Sequence, residues 1–523
     1  MTTEVQIAVR KVTSVNPATG EVLHEWECAS AEEVQAAVAR ARAAQTAWNG
    51  IEVEKRIEVL RRFQRAVHEK KSEIARLISR EEGKPYVEAL LTEVQVVLDA
   101  ARFSADNAYA FQREEKVPHG NVAMKTKAGR LRREPYGVIG IISPWNYPFS
   151  IPATESLAAL VTGNAVVLKP SELTSLCALE LATLLHAAGV PEDVFQIVVG
   201  DGATGGALVE SPIDKLVFTG SVATGKRIAQ AAAARLLPVV LELGGKDPML
   251  VLDDTDIDMA SSGAVWGAFV NAGQACLSVE RCYVHRSLYA GFIDACVRKA
   301  KQLRVGNATD AEIDMGPLIH ERQLRNLEQH VEDARARGAR VMTGGERLPN
   351  LGPNFYAPTV LADVNHEMRV MREETFGPLL PVMAFDSDQE AVRLANDSDY
   401  GLAASVWTRD RARGEALAKR IRAGTVMIND TISCFGISEA PHGGVKASGI
   451  GRTHGRFGLE EMVWVKYVDS DRTPEMKKVW WYGYGEKFAR QMEGFVDMQF
   501  ARGWGTKLRG AVKAAGVLGK SKR

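Results

Sequence analysis

The sequence predicts an α/β protein built on two parallel sheets, each covered by helices, with a polar hairpin set apart from them. Three observations predict it. Between residues 137 and 245 short β-branched runs (VIGII, AVVLK, FQIVVG, KLVFTG, PVVLELGG) alternate with helical stretches of roughly 10–15 residues, the pattern of a sheet buried on both faces. A second set follows, with CYVHR, ARVMTG, TVLADV, LLPVMAF, SVWTR and TVMIN. The 523 residues also exceed what one hydrophobic core usually organises, so two or three domains are expected.

The remaining elements follow in order. Residues 13–27 (TSVNPATGEVLHEWE) read as strands around a Pro/Gly turn. From Ala31 to about Leu91 apolar positions recur at helical spacing, and Val53, Ile57, Leu60, Phe63 and Val67 form one stripe. The stretch 122–138 alternates and breaks at Ala128-Gly129, as a polar hairpin would. Such a hairpin is a poor core element and suits pairing with another subunit. No fixed-period repeat or low-complexity linker precedes residue 470.

Composition excludes several classes. Lys+Arg and Asp+Glu balance at 65 each, so whole-molecule charge gives no reason to expect a nucleic-acid partner. Six cysteines form no CxxC pair, and their spacing matches neither a disulfide framework nor a metal site. A reducing compartment is expected. The N-terminus, MTTEVQIAVRKV, lacks a signal-type apolar core, and no uncharged apolar run reaches the ~18 residues a span needs. The expected location is the cytoplasm.

Three local patterns carry chemistry. After AVVL comes Lys169-Pro170-Ser171-Glu172, and after KLVF comes Gly220-Ser221-Val222-Ala223-Thr224-Gly225. A Gly-bracketed turn opening a helix after a strand suits a dinucleotide, because free helix N–H groups and the helix dipole favour phosphate. It is not the GxGxxG fingerprint, and a tight structural turn explains it equally. Glu172 can accept from a ribose 2′-hydroxyl, which favours NAD over NADP; a helix-start carboxylate is the alternative.

Cys276 lies in the polar segment Asn271-Ala272-Gly273-Gln274-Ala275-Cys276-Leu277-Ser278, although cysteines as a class are mostly small buried hydrophobes. Glu242 interrupts the apolar run Pro238-Val239-Val240-Leu241-Glu242-Leu243-Gly244-Gly245. A carboxylate ending a buried strand must be paired, protonated or used, and desolvation moves it toward the range of a general base.

These segments, taken together, resemble the aldehyde dehydrogenase superfamily over roughly residues 10–470. The match runs through Pro144-Trp145-Asn146-Tyr147-Pro148, KPSE at 169–172, Phe218-Thr219-Gly220-Ser221, Glu242-Leu243-Gly244-Gly245-Lys246 and GQAC at 273–276. It continues through Glu373-Glu374-Thr375-Phe376-Gly377-Pro378 and Gly443-Gly444-Val445-Lys446 to Gly451-Arg452. Seven collinear matches are not chance.

The resemblance implies a Rossmann-like cofactor domain (1–116 and 137–244), an α/β catalytic domain (245–445) and an oligomerisation arm (117–136 and 446–470), with an extension at 471–523. It implies NAD, with NADP as the alternative, a small-molecule aldehyde as substrate, and a homodimer or homotetramer. Cys276 would be the nucleophile, Glu242 the base that activates water, and Asn146 a donor to the oxyanion. Trp145, Lys169, Glu172, Gly220, Ser221, Glu374 and Phe376 resemble residues that contact the cofactor; no metal is implied.

Where many relatives carry Lys in the helix after the PWN motif, this chain has Glu155. His442 replaces an aromatic, and the loop 431–439 has no arginine, which weakens the case for a carboxylated substrate. Two alternatives share the fold: a CoA-acylating enzyme, against which Glu242 argues, and a non-catalytic scaffold, against which the intact Cys276, Glu242 and Asn146 argue.

The tail differs from the rest. Residues 471–523 carry a net +7 and the preceding 470 a net −7. Trp480-Trp481-Tyr482, then Phe488, Met492, Phe495 and Val496, then Trp504, Leu508, Val512 and Ala515, recur at helical spacing. From Gln499 onward Arg502, Lys507, Arg509, Lys513, Lys520, Lys522 and Arg523 meet no acidic residue. Residues 480–523 therefore read either as a helix packed on the enzyme or as a peripheral membrane contact. Gly503, Gly505, Gly510 and Gly516 argue against one long helix.

Overall fold

The computed structural model describes residues 10–515 apart from Ala311 and Val479. Most of the N-terminal segment, and Gly516, Lys520, Lys522 and Arg523, lie outside the described residues. The described chain forms two compact units. One runs through Gln112 and from Glu134 to Trp464; the other comprises Arg113–Arg133 and the chain from Val465 onward.

The first unit holds two parallel sheets, so the fold is α/β. In the six-stranded sheet the neighbours in space are Gly449–Ile450, Val239–Glu242, Lys215–Thr219, Val138–Ile142, Ala165–Lys169 and Phe195–Ile197. All but the first pair in parallel. Chain order thus reverses between Val138–Ile142 and Lys215–Thr219, and such a reversal opens a crevice beyond the strands' C-terminal ends. Every residue of Val138–Ile142 and Ala165–Lys169 is buried, as strands covered on both faces require.

The second sheet orders Arg340–Thr343, Thr359–Ala362, Leu379–Phe385, Val279–His285, Asp247–Val251, Ala403–Trp407 and Thr425–Ile428. Asp247–Val251 is a strand the sequence reading passed over, because Asp-Pro opens it and the apolar part is only three residues long. Its burial is complete.

The N-terminal strands Lys11–Val15 and Val22–Glu27 pair around a turn whose Gly20 has φ 78°. The helix Ala31–Gly50 opens with a capping box between Ser30 and Glu33. In Val53–Glu69 the predicted stripe points inward, with Leu60, Phe63 and Val67 fully buried. Helix continues past Leu91, through a π turn at Leu90–Val94, to Gln112.

Two expectations need correction. The hairpin does not break at Ala128-Gly129. Lys127–Pro135 is one continuous strand whose partner is Glu115–Val117, with Glu115 opposite Leu131. Gly129 sits in that strand because Tyr467 packs over it: a Cβ there would lie 2.6 Å from the Tyr467 hydroxyl. Residues 446–464, placed in the arm by sequence, belong to the first unit. Gly449 pairs antiparallel with Glu242 and Ile450 with Leu241, so this segment closes the edge of the six-stranded sheet.

The second unit adds Val463–Asp471 to Lys127–Pro135 and Glu115–Val117 as a three-stranded sheet, followed by the helices Glu486–Phe500 and Trp504–Ala514. Among the described residues no helix is long and apolar enough to cross a membrane.

Candidate active site

The six-stranded sheet sets the site's frame. Strand register aligns Ile142 with Lys169 and Phe218, and Thr219 with Glu242, so one sheet edge presents successive strand ends to the crevice. A cleft of about 620 Å³ at this edge is lined by Trp145, Lys169, Glu172, Gly220 and Ser221 among others. The Lys169 ammonium is buried and lies 3.2 Å from the Glu172 carboxylate, whose side chain is 44% exposed. Ser221 caps the helix Val222–Ala233 by accepting from the Thr224 N–H at 3.3 Å. That helix lies close to the next strand because Gly225 leaves room for Leu243, to which a Cβ would come within 2.5 Å. The cleft's size, the helix N-terminus and the exposed carboxylate fit a dinucleotide.

A second cavity of about 260 Å³ adjoins it through Trp145, Gly220 and Ser221. Asn146, Glu242, Cys276, Glu374 and Phe376 line it. The ten residues singled out from sequence therefore all fall on these two cavities.

Cys276 follows a strained turn. Asn271 and Ala272 have φ of 52° and 53°, and Gly273 has φ 71°. Residues that carry a Cβ are rare in that region, so neighbours must hold Asn271 and Ala272 there. The half-buried Glu88 accepts from the Asn271 N–H at 2.8 Å, and the Asn271 amide donates to the main-chain carbonyl of Asn146 at 3.0 Å. Gln274 reaches the other way, accepting from the Ile319 N–H at 2.9 Å. Gly245 packs against the loop so closely that a Cβ would sit 2.3 Å from the Cys276 carbonyl oxygen. Burial pushes the thiol well above its ordinary range, and Asp247, Glu374 and Glu242 add to this. The thiol keeps its proton until a base or positive charge reaches it.

Asn146 is fixed from both sides. Its amide donates to the Gln274 carbonyl at 2.9 Å, which leaves the second hydrogen of the amide nitrogen available. Its main-chain carbonyl accepts from the ammonium of Lys84 at 2.8 Å. Lys84 in turn pairs with Glu93 at 2.6 Å, both fully buried, and lies 3.7 Å from the centre of the Tyr147 ring. Glu93 also accepts from the N–H groups of Phe149 and Ser150. Sequence reasoning missed Lys84, Glu88 and Glu93. Nothing local signals them, since Lys84 lies in the link between two helices and Glu88 and Glu93 on charged helical sequence, and only the tertiary fold decides what each meets.

Glu242 ends its strand inside the cavity, 5% exposed, and neither carboxyl oxygen has a hydrogen-bond partner. Burial raises it well above the carboxylate range, the Glu155 carboxyl raises it further, and Arg452 opposes both. Glu155 accepts from the Thr219 hydroxyl at 3.1 Å and is itself pushed up to about 8 by burial. The imidazole of His442 stands 3.9 Å from Glu242. His442 and His454 are pushed down to about 3 and about 4 by burial, so both are neutral at neutral pH. This side of the cavity is polar and titratable.

The other side is not. A tunnel of about 180 Å³ reaches Cys276 between Leu91, Val96, Tyr147, Ile151, Trp266 and Phe435, and no charged side chain lines it.

The part of the cleft nearest Cys276 is set by a further buried network. Lys246 pairs with Glu280, whose carboxylate accepts from the N–H groups of Thr375 and Phe376. Phe376 is thereby held at φ 53°, its ring 5.5 Å from Trp145 and edge-on to it. Glu374 accepts from the Gly245 N–H at 3.0 Å and is pushed up to about 8 by burial.

A nucleotide cleft opening onto a thiol and an unpaired carboxyl is an arrangement for redox chemistry at a carbon bonded to sulfur. Comparison with known proteins puts a family to that class. The model of the aldehyde dehydrogenase family matches residues 5–468, and the chain belongs to this family. The 4,4'-diapolycopene aldehyde oxidase of Methylomonas sp is 39% identical over 93% of this chain and 91% of its own. A solved NAD+ complex of an aldehyde dehydrogenase from Bacillus cereus superposes with TM-score 0.84 at 37% identity, over 88% of this chain and 93% of that one. A succinate-semialdehyde dehydrogenase from Burkholderia pseudomallei gives the same TM-score and identity over 88% and 95%. The protein is an enzyme that oxidises an aldehyde to the carboxylic acid with NAD or NADP.

Proposed function

We propose that Cys276 carries the substrate as a thioester, that Glu242 activates the water that releases it, and that the aldehyde is neutral and apolar. The observation that carries this reading is the division of the space around Cys276: an unpaired carboxyl on one side, an uncharged tunnel on the other.

The Cys276 thiol gives up its proton to water in the cleft and the thiolate adds to the aldehyde carbon, while the free N–H of Asn146 meets the developing oxyanion, a contact worth about 3–4 kcal/mol. NAD or NADP, when bound, would supply the hydride acceptor; Lys169, Glu172, Gly220 and Ser221 would hold it at one end and Trp145, Glu374 and Phe376 at the other. The thioester on Cys276 then meets water, Glu242 takes the water's proton, and the acid leaves with the thiol restored. Release to coenzyme A would leave an unpaired buried carboxyl without a task. Glu172 favours NAD, because a carboxylate there accepts from a ribose hydroxyl and repels a 2′-phosphate.

Of the two substrate names carried by the relatives, succinate semialdehyde brings a carboxylate beside its aldehyde. The tunnel offers it no cation, and an unpaired carboxylate is costly to bury. An aldehyde with an apolar chain fits instead.

The arm supports a homodimer or homotetramer, since Val463–Asp471 leaves Val465, Tyr467 and Val468 exposed along one short strand. A cytoplasmic setting fits the six free thiols, one of which must stay reduced to work. There the basic extension is also free to meet a lipid surface.

Peptide mass mapping of Glu242→Gln, quenched during turnover of a medium-chain aldehyde, tests the assignment. An acyl group on Cys276 is expected. Acylation at Cys434, or none at all, would overturn it.

A further inference from the structure

We propose that the two C-terminal helices form an anchor that lies in the plane of an anionic lipid surface. This goes beyond the catalytic reading and does not depend on it.

Glu486–Phe500 and Trp504–Ala514 fold back on each other across Ala501–Gly503. Their contact runs through two glycines. A Cβ on Gly494 would lie 2.4 Å from the Lys513 Cβ, and one on Gly510 would lie 2.6 Å from the Gly494 carbonyl oxygen. Gly510 is thus a packing residue within a helix, and Gly503 is the cap at which the second helix starts. The glycines build a hairpin; they do not dissolve the helices.

Tight pairing of the small faces turns the large side chains outward. Val496 and Phe500 on the first helix are 52% and 72% exposed, and Trp504, Leu508 and Val512, one helical turn apart on the second, are 88%, 69% and 74% exposed. Soluble proteins rarely leave so many large apolar side chains uncovered. Charge says what covers it. Around the second helix, between Gln499 and Ala515, there is no acidic residue, and Arg502, Lys507, Arg509 and Lys513 are all basic; Glu493 and Asp497 lie on the first helix beside Val496.

An apolar row flanked by cations is the pattern that enters the boundary between lipid headgroups and acyl chains. A second copy of the chain fits less well. A twofold contact would set this same surface against itself and bring cation against cation. At 15 and 11 residues the helices fall short of the about 20 needed to span, so the contact lies in the plane.

Sedimentation of the full-length enzyme with phosphatidylcholine vesicles, with and without phosphatidylglycerol, tests the proposal. Binding is expected to need phosphatidylglycerol and to weaken as salt rises. Trp504→Ser with Leu508→Ser should lower the bound fraction about tenfold with dehydrogenase turnover unchanged. Lys507→Glu with Arg509→Glu should abolish the preference for phosphatidylglycerol. Quenching of tryptophan emission by brominated lipid reads insertion in the unaltered chain and needs no substitution. The proposal is overturned if the unaltered enzyme stays in the supernatant with both vesicle types, if brominated lipid quenches nothing, or if the serine variant only dissociates an oligomer.

Discussion

The two sides of Cys276 are built from opposite materials. Toward Glu242 the wall holds the buried Glu155 and His442 and the half-buried His454, each shifted toward its neutral form. Toward the tunnel the wall is Leu91, Val96, Tyr147, Ile151 and Trp266, with no charged side chain. The comparison teaches how one thiol serves two half-reactions. The apolar side receives the aldehyde and excludes charge, while the polar side handles the proton of the attacking water. Desolvation is common to both; what differs is whether the buried group has a task that uses it.

The largest effect expected tests the residue between the two sides. Cys276→Ala should lower turnover by on the order of 10⁴-fold or more, since it removes the nucleophile and not merely its activation. Steady-state NADH production measures it, and retained turnover would contradict the central role of the thiol.

How much of this was legible in the sequence follows from what each residue's role depends on. Cys276, Glu242 and the glycines near them act through the backbone beside them, so their segments GQAC and ELGG carry the signal locally. Most sheet strands were legible because their β-branched runs are short and bounded by turn residues, whereas Asp247–Val251, opened by Asp-Pro, was not. Lys84 and Glu93 were not, because their function lies in meeting Asn146 and Ser150 across the fold. The register of Lys127–Pro135 was hidden for a similar reason: Gly129 looks like a turn until Tyr467 is placed over it. Residues 446–464 read as arm because pairing of Gly449 with Glu242 is set by tertiary contact.

The next effect sharpens the apolar side. A saturated medium-chain aldehyde should exceed succinate semialdehyde in kcat/KM by about 10²-fold or more, because the tunnel leaves a carboxylate unpaired. Each added methylene should raise kcat/KM by roughly fourfold until the tunnel is filled. Val96→Arg should narrow the gap between the two substrates; equal kcat/KM in the unaltered enzyme would break the comparison.

A smaller effect sharpens the polar side. Glu242 must be ionised to accept a proton, so deacylation should rise as pH rises through its elevated value. Glu155→Gln removes the like charge that helps to hold Glu242 up. The alkaline-going limb of the pH profile should therefore move to lower pH, with the same plateau. A profile that does not move would show that the two carboxyls do not interact. The smallest effect lies in the cofactor cleft. Glu172→Gln should shift the ratio of NAD to NADP kcat/KM toward NADP by about tenfold, as repulsion of a 2′-phosphate is relieved.

The division of labour around Cys276 is tested most directly by pre-steady-state kinetics of Glu242→Gln. A burst of NADH near one equivalent per active site should survive at close to the unaltered rate, followed by steady turnover about 10²-fold slower or less, because only hydrolysis of the thioester needs the carboxylate. Loss of the burst together with the steady rate would contradict the account and make Glu242 the base that activates the thiol.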